Sequence, residues 1–319
     1  MQLNNIEHCI NDLLENLSSS FCLNAGIENS TLAELFEATI LEAVKNELTD
    51  FATPGKKTTL RHNKEGVMHF FYRPHLFPGM DDALLLGHLV QYMLLPRDLP
   101  NNSPVKVAAM LESYCHLSGD LFGWQSTHED GIIIWLLDVS GHGVRAGFAA
   151  VIFKLLLAEV DPNISLTHFV KGIERRFLQL RNPEDEVSLY ATGLFLKITK
   201  DGAVEYLSAG HPPIFLKQRD KIKAFNRTSL PLGMFPEVEK TSGRFQLNPR
   251  DTILLFTDGL SELEDQNGKV FGLDRISNLL CQAPRDPVQV LSEITNSVAG
   301  FHDLKRLNDD LCFLAMQLV

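Results

Sequence analysis

The sequence has no excess of basic residues. Lysine and arginine together number 29 against 40 aspartates and glutamates, which gives a formal net charge of −11. A general nucleic-acid-binding protein needs a basic surface, so nucleic acid is not an expected partner. The acidic balance fits a protein that holds cations at clustered carboxylates, and it fits a solvated acidic surface equally well.

The sequence also lacks the marks of a secreted or membrane protein. No apolar run approaches the ~18 residues that a membrane-spanning helix needs, and the longest candidate, Gly147 to Val160, is interrupted by Lys154 and Glu159. Residues 1–11 have no basic segment followed by an apolar stretch, so no signal peptide is expected. The five cysteines are scattered and form no C-x-x-C pair, which is typical of reduced thiols. These features predict a cytoplasmic protein that does not contact a membrane.

Three common nucleotide-binding or catalytic motifs are missing. The sequence has no G-x-x-x-x-G-K-S/T phosphate-binding loop and no G-x-G-x-x-G after a predicted strand. It also has no G-x-S-x-G turn of the kind that presents a serine nucleophile. Nothing in the sequence therefore indicates nucleotide binding or a serine-hydrolase triad.

The N-terminal part, residues 1–84, is predicted to be a mostly helical regulatory or dimerisation region. The clearest helix signal is the T-x-x-E spacing of Thr31 and Glu34, followed by an apolar stripe up to Val44. A short strand is predicted from Val67 to Tyr72. This helix and the apolar stretch from Ala83 to Leu95 could pair with a second copy of the chain to form a homodimer, or they could simply cover the core.

The main domain is predicted to start at residue 85, within an apolar helical stretch from Asp82 to Leu95. The predicted strands are Val105 to Leu111, Gly131 to Leu137, Leu189 to Ile198, Ala203 to Leu207, Ile214 to Leu216, Lys221 to Phe225, Thr252 to Phe256 and Leu311 to Val319. The predicted helices are Val144 to Val160, Leu166 to Leu180, Leu273 to Leu280 and Pro287 to Val298. Consecutive strands joined by hairpins, with paired helices between them, favour an α+β layered fold.

Acidic residues stand at the ends of several predicted strands. Asp138 and Asp258 each end an apolar strand, Asp120 lies in a Ser-Gly-Asp turn, and Asp309 and Asp310 precede the last strand. A carboxylate at the end of a buried strand is costly unless it is paired, hydrogen-bonded or bound to a metal. The repetition predicts one shared site for hard divalent cations, although any single Asp-Gly pair is more often a turn.

Other polar side chains near these positions are candidates for chemistry. His142, close to Asp138 in a Ser-Gly-His-Gly turn, could be a general acid for a leaving group or could brace the turn. Arg145 could attract phosphate or be solvated. His211 is predicted to be structural, and Cys115 to be a core thiol with nothing to activate it.

Six strings of the sequence, in order, resemble one protein family. They are SGD at 118–120, DVSGHGVRAG at 138–147, LSAGHPP at 207–213, PLGMFPE at 231–237, TDGLSE at 257–262 and NDDLCFL at 308–314. The family is the SpoIIE/RsbU-type branch of the PPM metal-dependent serine/threonine protein phosphatases. The resemblance covers residues 85–319 and implies a layered β-sandwich flanked by helices.

The resemblance also implies a set of metal ligands for two divalent ions, Mn²⁺ or Mg²⁺. Asp138 would bridge both ions, and the backbone carbonyl of Val139 would add a ligand. Asp258 and Asp309 would complete the shell of the first ion, and Asp120 would serve the second ion.

Three positions qualify this assignment. Asp310 is the weaker candidate ligand of its pair, because it could instead cap the turn into the last strand. Most of the branch has aspartate where Gly123 stands, so support of the metals from outside their ligand shell is expected to be weaker. The branch usually has threonine where Cys312 stands, and this change is expected to affect packing only.

The function that the resemblance implies is hydrolysis of phosphoserine or phosphothreonine on a regulatory protein, often an anti-anti-sigma factor with a STAS domain. The alternative is a pseudophosphatase that binds a signalling partner without turnover. Retention of all four expected carboxylates favours the enzyme, and Gly123 keeps the alternative open.

Overall fold

The apolar strands of the sequence form two sheets that pack face to face. The structure, a computed structural model, describes residues 68–72, 87, 90–91, 94–96, 98–115, 117–180, 189–235 and 238–319. The strands are β1 (Met68–Tyr72), β2 (Val105–Glu112), β3 (Asp120–Ser126), β4 (Ile132–Val139), β5 (Ala191–Ile198), β6 (Ala203–Ala209), β7 (Ile214–Gln218), β8 (Lys221–Phe225), β9 (Gly243–Gln246), β10 (Thr252–Phe256) and β11 (Leu311–Leu318). The helices are α1 (Val144–Glu159), α2 (Leu166–Leu180), α3 (Asp258–Ser261), α4 (Leu273–Gln282) and α5 (Pro287–Phe301), with a 3₁₀ turn at Leu304–Arg306.

The two sheets and their helices form four layers. One sheet has six strands in the order β1-β2-β11-β10-β7-β8, and the other has five in the order β3-β4-β5-β6-β9. Helices α1 and α2 cover the outer face of the five-stranded sheet, and α4 and α5 cover the outer face of the six-stranded sheet. The predicted layered β-sandwich flanked by helices is therefore confirmed.

Strand β4 shows why a strand of this fold can be apolar throughout. Ile134 and Leu136 point into the core between the sheets, whereas Trp135 and Leu137 point into the layer under α1 and α2. Because both faces of the strand are covered, neither set of alternating side chains meets water. The prediction of a strand buried on both faces is confirmed, and β4 runs on to Val139, so Asp138 lies inside it.

The elements that sequence reasoning did not predict are short or weakly patterned. Strand β3 begins at Asp120 and contains Gly123, a residue that weakens strand patterns. Strand β9, Gly243–Gln246, is partly exposed and has only Phe245 as a large apolar residue. Helix α3 has four residues, fewer than any periodicity test needs.

The predictions for the N-terminal part fall mostly outside the described residues. The helix around residues 31–44 lies outside them, and so does most of the predicted helix from Asp82 to Leu95, of which Gly87, Val90, Gln91 and Leu94 are helical. The predicted strand at 67–72 is present as β1, which pairs in parallel with β2 at the edge of the six-stranded sheet. Within the described residues, no helix is both long enough and apolar enough to cross a membrane.

One ion pair in the described part of the chain is buried. Lys240 Nζ lies 2.9 Å from Glu174 Oε1, and their side chains are 0% and 5% exposed. The same oxygen of Glu174 accepts a hydrogen bond from the backbone N–H of Gly233 at 3.1 Å. Helix α2 is thereby tied to the loop before β9.

Replacing Lys240 by methionine is expected to lower the free energy of unfolding by about 3–5 kcal/mol, because Glu174 would keep a buried charge without its partner. Lys171 forms an exposed pair with Glu239 at 3.0 Å and is the matched control. Lys171→Met is expected to change stability by less than about 1 kcal/mol. Urea unfolding of both variants measures the difference, and equal losses would contradict the assignment.

Candidate active site

Two of the predicted carboxylates face each other across neighbouring strands. Antiparallel pairing of β3 with β4 places Asp120 directly opposite Asp138. Side chains at directly opposed positions lie on the same face with Cβ atoms about 4.5–5.5 Å apart. In β4 that face also carries Ile134 and Leu136, which point between the sheets. Asp120 and Asp138 therefore lie at one end of the gap between the two sheets.

The second sheet brings its acidic residues to the same end. Asp258 comes directly after Thr257, which follows β10, and Asp309 and Asp310 come just before β11. Because β10 and β11 are antiparallel neighbours, the end of one strand adjoins the start of the other. Four chain segments thus deliver carboxylates to one place.

Thr257 joins the two sheets at this point. Its hydroxyl donates a hydrogen bond to Asp120 Oδ2 at 2.8 Å, across 137 residues of sequence. Its backbone N–H donates to the carbonyl of Cys312 at 2.9 Å, and the N–H of Cys312 donates back to the Thr257 hydroxyl at 3.1 Å. Sequence reasoning did not single out Thr257, because a threonine after a buried strand carries no signal of a partner so distant in the chain.

The electrostatics of the cluster follow from burial and from like charges. Burial, then the charges of Asp138 and Asp310, raise the pKa of Asp120 well above its usual range. Burial, then the charges of Asp258, Asp309 and Asp310, raise the pKa of Asp138 to about 8. Burial and then Asp309 raise the pKa of Asp258 to about 6, and burial raises the pKa of Asp309. These groups repel one another, so protons or cations added to the cluster stabilise it near neutral pH.

The donor chemistry of this cluster fits divalent cations such as Mg²⁺ and Mn²⁺, which prefer carboxylate and carbonyl oxygens. Among the described residues, no three His, Cys, Asp or Glu side chains are grouped closely enough to enclose one ion by themselves. Mg²⁺ in particular is commonly held by one or two carboxylates and several waters, so pairs such as Asp120 and Asp138 suffice. The cluster fits ions that keep much of their hydration.

The space in front of the Val139 carbonyl supports the same interpretation. A side chain at Gly119 would place its Cβ 2.9 Å from that carbonyl oxygen and 3.2 Å from the Cβ of Ala146. Glycine at this position, next to Asp120, keeps the space beside the oxygen free of a side chain. The Val139 carbonyl therefore stays a predicted ligand.

Comparison with known proteins identifies the family. The family model described as Stage II sporulation protein E (SpoIIE) matches residues 128–319, more than half of the chain. This chain belongs to the SpoIIE family. The resemblance found in the six sequence strings is confirmed, and Asp120 lies just before the matched range.

Among SpoIIE-type relatives, the phosphoserine phosphatase RsbP of Bacillus subtilis is 27% identical over 221 residues, which is 68% of this chain and 53% of that protein. This chain therefore spans about half the length of that relative. The PP2C phosphatase domain of SpoIIE from Bacillus subtilis, solved with a fragment of its regulatory domain, aligns with a TM-score of 0.58 at 20% identity, covering 67% of this chain and 63% of that one. RsbX in complex with magnesium aligns with a TM-score of 0.51 at 18% identity, covering 70% and 99%. Both structures share the fold.

Asp310 has a different environment from the other acidic residues of this SpoIIE-family site. Its Oδ1 accepts from the backbone N–H of Tyr114 at 2.7 Å, and its Oδ2 accepts from the N–H of Gly119 at 2.6 Å. Both oxygens are therefore engaged by the loop between β2 and β3. Burial raises the pKa of Asp310 to about 6, and these two bonds oppose that shift. Asp310 therefore positions the Ser-Gly-Asp turn. The alternative role predicted from the sequence was a cap on the turn into β11.

Asp309 and Asp310 are expected to differ when each is replaced by asparagine. Asp310→Asn would set an amide N–H₂ against a backbone N–H, and losing a bond to a charged acceptor costs about 1.5–3 kcal/mol of stability. Asp309 is more exposed to solvent than Asp310, although part of its carboxyl group is desolvated, and it accepts from the N–H of Asp310 at 2.8 Å, which asparagine can also do. Urea unfolding in EDTA at pH 7.5 should show a loss for Asp310→Asn and little change for Asp309→Asn. The reverse order would contradict these positions.

His142 stands at the rim of the site. It is exposed, its ring packs edge-on against Tyr114 with centroids 5.1 Å apart, and its positive form lowers the pKa of Asp309. The flanking Gly141 and Gly143 have φ values of 86° and 76°, which only glycine adopts readily. His142 is therefore held near the carboxylates by the glycine turn and remains open to solvent.

His211 is a buried residue that acts on the site through Thr192. It is buried, its Nδ1 lies 2.7 Å from the hydroxyl of Thr192, and burial lowers its pKa to about 3. Thr192 lies opposite Asp138 in the β4–β5 pair, and its hydroxyl is 3.5 Å from Asp138 Oδ2. A neutral His211 thus orients Thr192 beside Asp138, in agreement with its predicted structural role.

Two other candidates lie beside the cluster. Arg145 is exposed in the first turn of α1. Cys115 is half-buried, and burial followed by the charges of Asp310 and Asp309 raises the pKa of its thiol. A thiol that holds its proton more tightly is a poorer nucleophile, so nothing activates Cys115, but it is not the core thiol that the sequence predicted. Cys312 is fully buried in the core between the sheets.

The structure accounts for Gly123, where most of the SpoIIE branch has aspartate. Gly123 points away from Asp120, toward helix α1, because three residues along a strand reverse the face. A Cβ there would lie 2.6 Å from Trp135 Cζ2 and 2.8 Å from Lys154 Nζ. Lys154 Nζ in turn lies 5.2 Å from the Trp135 ring centroid. The ammonium and the indole occupy the space that an aspartate would need.

Gln91 is a further residue that sequence reasoning did not single out. Its Nε2 donates to the carbonyl of Ser118 at 2.6 Å and to that of Gly147 at 3.2 Å, and its Oε1 accepts from the N–H of Ser118 at 2.8 Å. One side chain thus joins the helical residues near position 90, the Ser-Gly-Asp turn and helix α1. A single glutamine in an apolar helix gives no sequence signal for such a role.

Proposed function

We propose that this protein is a divalent-metal-dependent phosphatase that hydrolyses phosphoserine or phosphothreonine on a regulatory protein, most naturally an anti-anti-sigma factor of the STAS type. The observation that carries the proposal is the placement of Asp120 opposite Asp138 at the end of the sandwich, with Asp258 and Asp309 delivered there by the other sheet. A relative named as a phosphoserine phosphatase and the PP2C fold support the same conclusion.

Two ions, Mn²⁺ or Mg²⁺, would be held by Asp120, Asp138, Asp258, Asp309 and the carbonyl of Val139. When bound, such ions act as Lewis acids on a phosphoryl oxygen and activate water as a nucleophile. The magnesium complex of RsbX supports this choice of ion. Thr257 and Thr192 contribute by fixing the orientation of Asp120 and Asp138.

The chemical step would be hydrolysis of the phosphate ester, with one proton supplied by the protein. A water oxygen forms the new bond to phosphorus, the ester P–O bond breaks, and inorganic phosphate and a serine or threonine hydroxyl are released. No side chain is phosphorylated on this route. His142, exposed beside Asp309, would supply the proton that the departing oxygen takes up.

The test compares the purified full chain with Mn²⁺, with Mg²⁺ and with EDTA, on p-nitrophenyl phosphate and on a panel of serine-phosphorylated STAS-domain proteins. Phosphate release that requires the metal supports the proposal. Metal binding without turnover on either substrate would identify a pseudophosphatase that acts as a binding module. Turnover of the small substrate but of no STAS protein would overturn the substrate class alone.

We also propose that residues 1–84 form a regulatory or dimerisation region. Its predicted amphipathic helix supports this, and β1, which pairs with β2, links this part of the chain to the six-stranded sheet. Light scattering of the full chain and of residues 68–319, which keep β1, compares their oligomeric states. Equal masses together with equal metal-dependent rates would contradict the proposal.

A further inference from the structure

The loop of residues 230–235, called the apolar loop below, presents large hydrophobic side chains to solvent. Leu230 is 43% exposed, Met234 is 36% exposed and Phe235 is 49% exposed, whereas Leu232 between them is fully buried. Clustered exposed hydrophobic residues on a soluble protein commonly mark an interaction site. We propose that the apolar loop is the surface on which the folded phosphoprotein substrate docks, an inference that rests on the proposed function.

The loop is held firmly in this exposed conformation. Leu232 exchanges two backbone hydrogen bonds with Ala191, at 2.7 and 2.9 Å. The backbone N–H of Gly233 donates to the buried carboxylate of Glu174, which Lys240 neutralises. Gly233 has a φ of 77°, and a Cβ there would lie 2.8 Å from Phe177. A buried ion pair and a packed glycine therefore fix the backbone from which Met234 and Phe235 project.

The apolar loop lies close to the carboxylate cluster. Ala191 is paired with Val139 in the β4–β5 ladder, and Leu232 is paired with Ala191 on its other side. Neighbouring strands are about 4.8 Å apart, so Leu232 lies about 10 Å from Val139. Ser140, the residue after Val139, donates its backbone N–H to the carbonyl of Tyr190 at 2.9 Å. This bond ties the glycine turn to the start of β5, beside Ala191.

This distance determines which ligands can touch the loop. A typical specific protein interface buries about 800 Å² on each partner, a patch about 16 Å in radius. A folded protein whose phosphate sits at the carboxylates is therefore large enough to cover the apolar loop, whereas a small aryl phosphate is expected to make little contact with it. Aromatic residues and methionine are enriched in such interfaces, as Phe235 and Met234 would be here.

The experiment uses the full chain with Mn²⁺ and the double substitution Met234→Ser with Phe235→Ser. The substrates are p-nitrophenyl phosphate and two folded phosphoserine proteins, phosphorylase a and the STAS-domain phosphoprotein that the wild type hydrolyses fastest. We expect at least a tenfold fall in kcat/KM for the proteins, mainly through KM, and less than a twofold change for p-nitrophenyl phosphate. The matched control is Ile164→Ser. Ile164 is 38% exposed, and its carbonyl accepts from Lys197. Lys197 comes six residues after Ala191, the site end of β5, and is therefore about 20 Å from it.

The outcomes separate the two proposals. A wild type that hydrolyses neither kind of substrate refutes the proposed function itself. Equal losses on the small and the protein substrates would show that the loop serves the catalytic centre or the fold, and would overturn docking. Unchanged rates on all substrates would overturn it as well. A change from dimer to monomer by light scattering, with unchanged protein hydrolysis, would assign the loop to contact with a second copy of this chain and would also overturn it.

Discussion

Replacing Asp138 by asparagine is expected to lower kcat/KM for phosphoserine hydrolysis by about a thousandfold or more. Asp138 lies opposite Asp120 and within the electrostatic reach of Asp258 and Asp309, so it is the carboxylate that all the others surround. A divalent ion supplies several kcal/mol of transition-state stabilisation, and each 1.36 kcal/mol corresponds to about a tenfold change in rate. Asparagine keeps the size of the side chain and removes the charge that would hold the ion.

The same substitution should have the opposite effect on stability. Because burial and like charges raise the pKa of Asp138 to about 8, its ionised form is disfavoured in the folded metal-free protein. Asp138→Asn removes that repulsion, so its melting temperature in EDTA at pH 8 should exceed that of the wild type. A variant that is inactive and yet more stable cannot owe its inactivity to misfolding.

Asp130→Asn is the control for this experiment. Asp130 is exposed at the far end of β4 and pairs with Lys200 at 2.8 Å, so its loss should leave the rate unchanged. The measurements are phosphate release with Mn²⁺ and thermal unfolding in EDTA. Retention of more than a tenth of the activity by Asp138→Asn would remove it from the centre of the site.

How much of this site was predictable depends on the sequence distance between its parts. Asp138 and Asp258 were predictable because each ends a run of apolar residues, and such a run identifies a buried strand locally. Asp120 was grouped with Asp138 only as part of one predicted shared site. The register that sets the two side chains on the same face is seen only in the pairing of β3 with β4 in the structure.

The supporting contacts were not predictable, because they join segments far apart in the chain. Thr257 meets Asp120 across 137 residues, and Asp310 meets Gly119 across 191. Neither contact has a periodicity or a motif in the local sequence. Asp310 illustrates the consequence, since next to Asp309 it reads as a second ligand until both of its oxygens are found on backbone N–H groups.

The fold shows the same division. The long apolar strands and amphipathic helices could be predicted from their local sequence patterns. Strands β3 and β9 form because of their neighbours in the sheet, and their own sequences carry no clear strand pattern. Glu174 and Lys240 are an extreme case. Each would be assigned to the surface by its charge, and only the packing of α2 against the apolar loop buries them together.

Binding of a divalent metal is expected to stabilise the protein more strongly as pH rises from 5 to 8. In the metal-free protein, each of these carboxylates has a higher pKa when folded than when unfolded. At a pH between its unfolded and its folded pKa, the folded protein therefore binds more protons than the unfolded chain. Stability therefore falls as pH rises. For Asp138 the window runs from about 4 to about 8, and for Asp258 and Asp310 from about 4 to about 6. Below about pH 4 both states are protonated and the effect vanishes.

A bound cation reverses this trend, because it requires ionised ligands and its affinity rises as they lose their protons. At a hundredfold excess over the dissociation constant, binding contributes about 2.7 kcal/mol, which is a rise in Tm of about 5–10 °C for a domain of this size. Scanning calorimetry with MnCl₂ and with EDTA at pH 5, 6, 7 and 8 should show a Tm difference that grows with pH. Asp138→Asn should reduce the difference at every pH. A Tm difference that is flat or shrinks as pH rises would mean that these carboxylates do not gather around a cation. The cost of ionising them in a buried cluster would then be relieved by something other than metal.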